Sequence, residues 1–415
     1  MKKSNTNKKK IINDPVHGFI TIPGDLLFDL LEHPYIQRLR RIKQLGMTHL
    51  VYPGATHSRF QHTIGCMHLI SAAINTLQQK GFSITDEESE AVHAAILMHD
   101  LGHAPFSHVL ESTLVKKITH EEISLLFMER LNKEFNGKLS MAIEIFKNRY
   151  PKRFLHQLIS GQLDMDRLDY LRRDSFYTGV SEGVVSSDRI IKMLTLHNDE
   201  LVVEAKGIYS IEKFLIARRL MFWQVYLHKT ALVSEKMLNK TVKRAAYIAS
   251  KKGDTGAPGT LEFFLKTDKE SIDFKNDPQV LNNFAMLDDN DIMSALKIWS
   301  YSEDKVLSWL SNALLNRKLL AIEIEKDKFT KNHIHQLREI AVKELSLTYS
   351  ESKYFVFTDT IENNAYNIFD DKIKILFKNS RVKDISQASD ILNLSVLSKT
   401  VRKNILCYPK NINEQ

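Results

Sequence analysis

Apolar residues along this 415-residue chain recur mostly at three- and four-residue intervals. That spacing gives a helix one buried stripe, so helices dominate the expected fold. Leu26, Leu27, Leu30 and Leu31, then Ile36, Leu39 and Ile42, predict helical structure from Gly24 to Gln44. Pro34 restarts it, because its fixed φ suits a first helical turn, and Gly46 is placed to end it. An apolar stretch from Ile64 to Leu77 predicts a helix fed by the loop 52–62. Residues 86–100 predict the next, with Asp86, Glu87 and Glu88 at its positive end. Further helices are expected over 107–115, 119–135, 139–149 and around 164–174, and a long one from Ser210 to Lys251. Thr119 followed by Glu122 has the spacing of a capping box.

Strand signals are fewer. Ile11 and Ile12 precede Asp14-Pro15 and His17-Gly18 and read as a short extended piece and a turn. Leu194-Thr195-Leu196 and Leu201-Val202-Val203 flank Asn198-Asp199 and predict a hairpin. The run from Gly253 to Gly259 breaks the helical pattern and marks a boundary, and residues 260–317 return to helix. Beyond Asn316, strands are expected at 319–324, 353–357 and 373–377, with a helix over 329–344. The expected organisation is mainly α. A mobile basic N-terminus covers 1–10, a helical core 11–252, a helical extension 253–317 and a small C-terminal α/β module 318–415.

Composition narrows the setting. Hydrophobic residues make up 43% and charged residues 26%, which fits a soluble globular protein, and no apolar run is long enough to span a bilayer. Cys66 and Cys407 are too few for a disulfide framework. No apolar signal core follows the basic start, so a cytoplasmic location is expected. A net charge of +8 favours anionic partners such as nucleotides or phosphorylated metabolites, with nucleic acid as a secondary candidate.

The chemistry concentrates where an apolar helix ends in His99-Asp100 and is followed by His103 and His108. Imidazole and carboxylate are donors for borderline or hard divalent metals. His62, His99, Asp100 and Asp166 all fall at or near predicted helix ends, where side chains can converge. Such a mixed nitrogen–oxygen set leaves room for water and suits iron, manganese, zinc, nickel or magnesium. Asp164 is expected to cap its helix rather than bind metal.

His62, His99-Asp100 and Asp166, with the stretches Gln37–Gly46, Pro53–His62, His99–His108 and Asp164–Tyr170, resemble the HD-domain metal-dependent phosphohydrolases. Within them the likeness is to the deoxynucleoside triphosphate triphosphohydrolase branch, over roughly residues 10–235. The resemblance implies an HD-domain helical core that hydrolyses a dNTP to deoxynucleoside and inorganic triphosphate. It implies catalytic roles for His103, His108, His120 and Glu121, with His108 or His120 moving a proton. It implies phosphate contacts from Arg59, Arg167, Arg218 and Lys229. It implies deoxyribose contacts from Gln44, Leu45, Tyr170, Asp174 and Tyr226, with Leu45 and Tyr226 crowding C2′. An activating nucleotide would sit at Lys10, Glu32, Gln37 and Arg40, and assembly into a homodimer or homotetramer is expected. The chain departs from vertebrate members at Phe222 and Phe19, where they carry histidine, and at Glu32, where they carry aspartate. Two other functions compete: an HD-type nucleotidase or phosphodiesterase on other nucleotides, and a protein that only binds nucleotides or nucleic acid.

Overall fold

The computed structural model describes residues 10–115, 118–251, 253–267, 272–363, 372–389 and 401–410. A hairpin of β1 (Ile11–Asp14) and β2 (Gly18–Thr21) leads in. There follow α1 (Asp25–Glu32), α2 (Pro34–Arg38), α3 (Arg59–Gln79), α4 (Asp86–Met98), α5 (His108–Leu114), α6 (His120–Glu134), α7 (Ser140–Phe146), α8 (Arg153–Gln157), α9 (Met165–Thr178) and α10 (Ser187–Met193). β3 (Leu194–His197) and β4 (Glu200–Glu204) form the predicted hairpin, and Asn198 and Asp199 take up positive φ at its two-residue turn. Next come α11 (Ile208–Met221), α12 (Lys229–Ser250), α13 (Gly259–Lys266), α14 (Pro278–Met286), α15 (Asp289–Trp299) and α16 (Lys305–Leu315). The remainder is β5 (Ala321–Glu325), α17 (Lys331–Leu345), α18 (Tyr349–Ser352), β6 (Phe357–Asn363), β7 (Lys374–Leu376), β8 (Val382–Asp384), α19 (Ile385–Ala388) and β9 (Val401–Tyr408). Among the described residues no helix is long and apolar enough to cross a membrane.

The centre of the core is α3, which packs against both α4 and α9. Most of its residues are buried, as in a helix enclosed by others. Gly65 permits its close approach to α9: a Cβ there would lie 2.0 Å from Asp169 Oδ1 and 2.3 Å from an Arg173 nitrogen.

Three expectations are corrected. The helix restarted at Pro34 runs only to Arg38, becomes a 3-10 turn to Arg41, and then extends at Ile42 so that Lys43 can bridge Ser58. The long helix from Ser210 is two helices, α11 and α12, separated by a π segment at Phe222–Tyr226 and restarted where the His228 ring accepts from Thr230 N–H. Such π segments often mark functional sites. The strand expected at 353–357 starts only at Phe357, because Phe355 and Val356 fold back onto Ser352 as a turn after α18. In the C-terminal α/β module, residues 318–415, the described strands divide between two sheets. One sheet has the order β5-β9-β6, but β7 pairs in parallel with β4 and extends the core hairpin to the order β3-β4-β7-β8. An open strand edge takes a partner where one is within reach, and β4 finds it here. Residues 1–9 of the expected basic N-terminus lie outside the described residues.

Arg38 ties the helical extension to the core. It is 1% exposed. Its guanidinium donates to Leu287 O at 2.8 Å, Leu101 O at 3.2 Å and His103 O at 2.9 Å. Burial lowers its pKa to about 10 in spite of Asp288 and Asp289, so it stays charged at neutral pH. Arg38→Met leaves three buried carbonyls without a donor, at a cost on the order of 3 kcal/mol. The expected result is a clearly lower melting temperature in a thermal scan; an unchanged one would show that the clamp contributes nothing.

Candidate active site

Three helix termini carry the expected metal donors. Ser58 and Gln61 form a capping box that starts α3 and places His62 in its first turns. α4 ends at Met98, and His99 caps it. Asp164 caps α9, accepting from Arg167 N–H at 2.7 Å, and so sets Asp166 in the first turn. The structure brings the four together. His62 Nε2 lies 3.0 Å from Asp166 Oδ1 and 3.9 Å from Asp100 Oδ2. His99 Nε2 lies 3.3 Å from Asp100 Oδ1 and 3.9 Å from Asp166 Oδ1.

These residues fit a divalent cation. His99 Nδ1 contacts Ile96 O at 2.6 Å, while its Nε2 is buried with no hydrogen-bond partner among the described residues. His62 Nδ1 is 2.8 Å from Asp169 Oδ2, which turns its Nε2 toward Asp166. This is the outer hydrogen bonding that orients imidazole ligands. Burial would raise the Asp100 carboxyl, but Arg59, His99 and His103 outweigh it and hold it well below the usual range. Burial would also raise Asp166, and His62 and His99 bring it down to about 2. Cys66 Sγ lies 3.5 Å from both His62 ring nitrogens, but burial pushes its thiol up and keeps it protonated. Its sulfur lies close enough to His62, His99 and Asp166 to share a metal with them.

Behind the donors is a buried network absent from the sequence reading. Asp169 accepts from Arg173 Nε at 2.8 Å and faces His17 Nε2 at 2.6 Å. Arg173 also reaches Asp14 at the end of β1, at 2.8 Å. The N-terminal hairpin is thereby fastened to the back of the site.

Phe106 and Ser107 both have positive φ, 54° and 58°. Non-glycine residues hold that conformation only where neighbours enforce it. Here Asp289 accepts from Phe106 N–H at 2.7 Å and from Lys43 N–H at 2.9 Å, and Ser107 Oγ accepts from Arg59 Nε at 2.9 Å. Burial pushes the Asp289 carboxyl up to about 6, against the two N–H bonds and Lys43. Its folded pKa thus exceeds the unfolded value of about 3.9. Its contribution is fully present below about pH 4 and is lost as pH rises through about 6, by at most about 3 kcal/mol. The melting-temperature gap between Asp289→Asn and the parent is expected to move in the variant's favour from pH 4.5 to pH 7.5. Parallel pH profiles would contradict this.

The expected catalytic residues gather beside the metal donors. His103 Nδ1 lies 3.1 Å from Asp100 Oδ1, and its ring packs 4.2 Å from that of His120. His120 faces Glu111 at 3.3 Å through Nδ1 and Glu121 at 3.2 Å through Nε2. Burial lowers the His120 pKa, but the two glutamates and Asp100 outweigh it and favour the protonated ring. Glu111 was missed by the sequence reading; one turn after His108, on the helix that follows the His99–His108 stretch, it is the carboxylate between His103 and His120. His108 opens α5, and its side chain lies outside what is described.

Two adjoining cavities share Gln44, Arg59 and Tyr170. One, of about 300 Å³, holds His99, Asp100, His103, His120 and Asp166. The other, of about 470 Å³, is lined by Leu45, Asp174, Phe222 and Tyr226 among others. Gln44 Oε1 is buried without a partner. Asp174 is held by Tyr226 Oη at 2.8 Å and by His57 Nε2 at 2.7 Å. His57 also had no role in the sequence reading. The expected phosphate-binding residues differ in state. Arg59 holds Asp100 at 2.8 Å, and Arg167 is bound to Asp164 and Gly161 O. Among the described residues, Arg218 Nε and one terminal nitrogen are buried without partners. Lys229 is exposed at the start of α12. The expected activator residues form two pairs away from these cavities: Lys10–Glu32 at 2.7 Å, and Arg40 donating to Gln37 Oε1 at 2.8 Å. Phe19 is 75% exposed.

Comparison with known proteins agrees with this geometry. An HD-domain model matches residues 59–174, and an HD-associated-region model matches residues 185–255. The uncharacterised protein YwfO of Bacillus subtilis is 30% identical over 98% of this chain and 93% of its own length. The deoxynucleoside triphosphate triphosphohydrolase SAMHD1 homolog of Dictyostelium discoideum is 32% identical over 57% of this chain, which matches 49% of that protein. A crystal structure of a phosphohydrolase from Bacteroides thetaiotaomicron superposes with a TM-score of 0.93 at 56% identity, covering 97% of this chain and all of that one. The chain belongs to the HD-domain phosphohydrolases, in the branch that resembles the deoxynucleoside triphosphate triphosphohydrolases.

Proposed function

We propose that this hydrolase converts a dNTP to deoxynucleoside and inorganic triphosphate. The observation that carries the reading is the pair of adjoining cavities, one with the metal donors and one with Gln44, Leu45, Tyr170, Asp174 and Tyr226. A deoxynucleoside in the second cavity delivers its 5′-phosphates to the first past Gln44, Arg59 and Tyr170. A divalent cation at His62, His99, Asp100 and Asp166 supplies charge neutralisation at the α-phosphate and a lowered pKa for water. Water attacks the α-phosphorus, the bond to the 5′-oxygen breaks, and His108 or His120 gives that oxygen its proton. His120 suits this work because Glu111 and Glu121 favour its protonated form. Arg218 offers the triphosphate two guanidinium nitrogens that are buried without a partner among the described residues, which is costly unless an anion meets them. Gln44 Oε1 accepts the 3′-hydroxyl, and Leu45 with Tyr226 leaves no space for a ribose hydroxyl.

The test incubates metal-loaded protein with each dNTP, with and without GTP, and identifies the products by chromatography. Deoxynucleoside plus triphosphate is the expected outcome. Only dNMP plus pyrophosphate, or no turnover with any mixture, rejects the reading.

The same reading puts a nucleotide activator at Lys10, Glu32, Gln37 and Arg40, within a homodimer or homotetramer. The Arg40 guanidinium lies 3.6 Å from the centre of the Phe60 ring, which links that patch to the start of α3. Arg40→Ala is expected to keep its metal and to lose most nucleotide stimulation. Unchanged stimulation removes the activator site.

A further inference from the structure

The larger cavity also reaches α12, where Glu235, Lys236 and Asn239 line part of its wall. None of these three lines the cavity that holds the metal donors. The part of the ligand that meets these three is therefore not the part that meets the metal donors. Under the triphosphohydrolase reading, on which this inference rests, that part is the base.

The charged groups of this wall are unequally committed. Arg59 holds Asp100, and Asp174 holds His57 and Tyr226. Lys236 pairs with Asp359 at 2.5 Å. Asn239 donates to Thr113 Oγ1 at 2.5 Å and Val109 O at 3.3 Å, which leaves its oxygen as an acceptor. Among the described residues the Glu235 carboxylate has no hydrogen bond or ion pair. Glu235 and Asn239 stand four residues apart on one helix, so they share a face. Around Glu235 the cavity thus presents acceptor oxygens, and its lining also includes Thr48, a hydroxyl that can donate or accept.

We propose that Glu235 reads the base and selects guanine. An ionised carboxylate only accepts, through two oxygens. Guanine offers two adjacent donors on one edge, N1–H and the 2-amino group, and meets a carboxylate in the bidentate way a guanidinium does. Adenine and cytosine put a ring lone pair beside their amino group, and thymine has one N–H between two carbonyls. Each of these turns at least one lone pair toward the carboxylate. Burial pushes the Glu235 carboxyl up to about 7 in spite of Lys236. Two N–H donors from a ligand favour the ionised form and act against that shift.

The experiment measures kcat/KM of the full chain for all four dNTPs, before and after Glu235→Gln, with metal content and melting temperature as controls. Calorimetric binding of the four deoxynucleosides to the same two proteins runs beside it. The expected result is a dGTP preference of about tenfold to a hundredfold in the parent. In the variant the ratio of dGTP to dATP falls toward one. A parent without guanine preference, or a ratio the substitution leaves unmoved, overturns the proposal. If no dNTP is hydrolysed, the triphosphohydrolase reading fails and the binding arm still decides. Deoxyguanosine favoured by the parent and not by Glu235→Gln supports the role of Glu235; equal binding of all four, or none, overturns it.

Discussion

Asp166→Ala is expected to lose bound metal and hydrolytic turnover together. The carboxylate stands 3.0 Å from His62 Nε2 and 3.9 Å from His99 Nε2, so it supplies anionic charge between two imidazoles. With its pKa at about 2 it is ionised throughout the physiological range. Replacing even an outer partner of a metal ligand costs roughly 10–100-fold in affinity or activity, and a direct ligand costs more. Helix α9 does not depend on this side chain, because Asp164 caps its start and Gly179, with φ of 74°, ends it. The loss is therefore expected in a folded protein. Metal analysis and steady-state turnover on one preparation check it. Full metal with no turnover would move Asp166 from ligand to another role, and retention of both would dismiss the site.

Gly102→Ala is expected to spare the metal and damage the chemistry. A Cβ on Gly102 would lie 2.0 Å from His120 O and 2.6 Å from Ser124 N, both backbone atoms of α6. The first turns of that helix must move. Gly102 N–H donates to Ser124 Oγ at 2.9 Å, and that hydroxyl donates to His99 O at 2.7 Å, so the contact is built to be close. The displacement carries His120 away from His103 and Glu111. A misplacement of about 1 Å at a catalytic group can cost about a hundredfold. The expected signature is near-normal metal content with kcat lower by about that factor. A normal kcat would show that the position of His120 does not matter to the reaction.

These two residues differ in how far the sequence reveals them. Asp166 is legible because an aspartate at a helix start, with His62 and His99-Asp100 at other helix ends, is a donor set before any fold is known. Gly102 is visible as a glycine, but its reason is a helix eighteen residues further on. Periodicity likewise locates α3, α4, α6 and α9, since each buries one or more apolar faces. It cannot show that α11 ends in a π segment, because the apolar spacing runs on through Phe222–Tyr226 unbroken. Nor can it assign β7 to the core hairpin, since a parallel pairing between residues 203 and 375 leaves no local mark.

The sequence by itself determined the helical class, the hairpin at Asn198-Asp199, and the residue types available for a metal and for phosphate. These are local matters of spacing, capping and donor chemistry. Tertiary structure alone decided which side chains are spoken for. Arg59 and Arg167 are tied to carboxylates, while two Arg218 nitrogens are buried without a partner among the described residues. Asp174 is bound to His57 across 117 positions, and Asp289 holds Phe106 from 183 positions away. Among the described residues, the lining of the larger cavity keeps one carboxylate without a partner, Glu235. Whether a buried charge is paired depends on what the folded chain brings to it, and no spacing along the sequence records that.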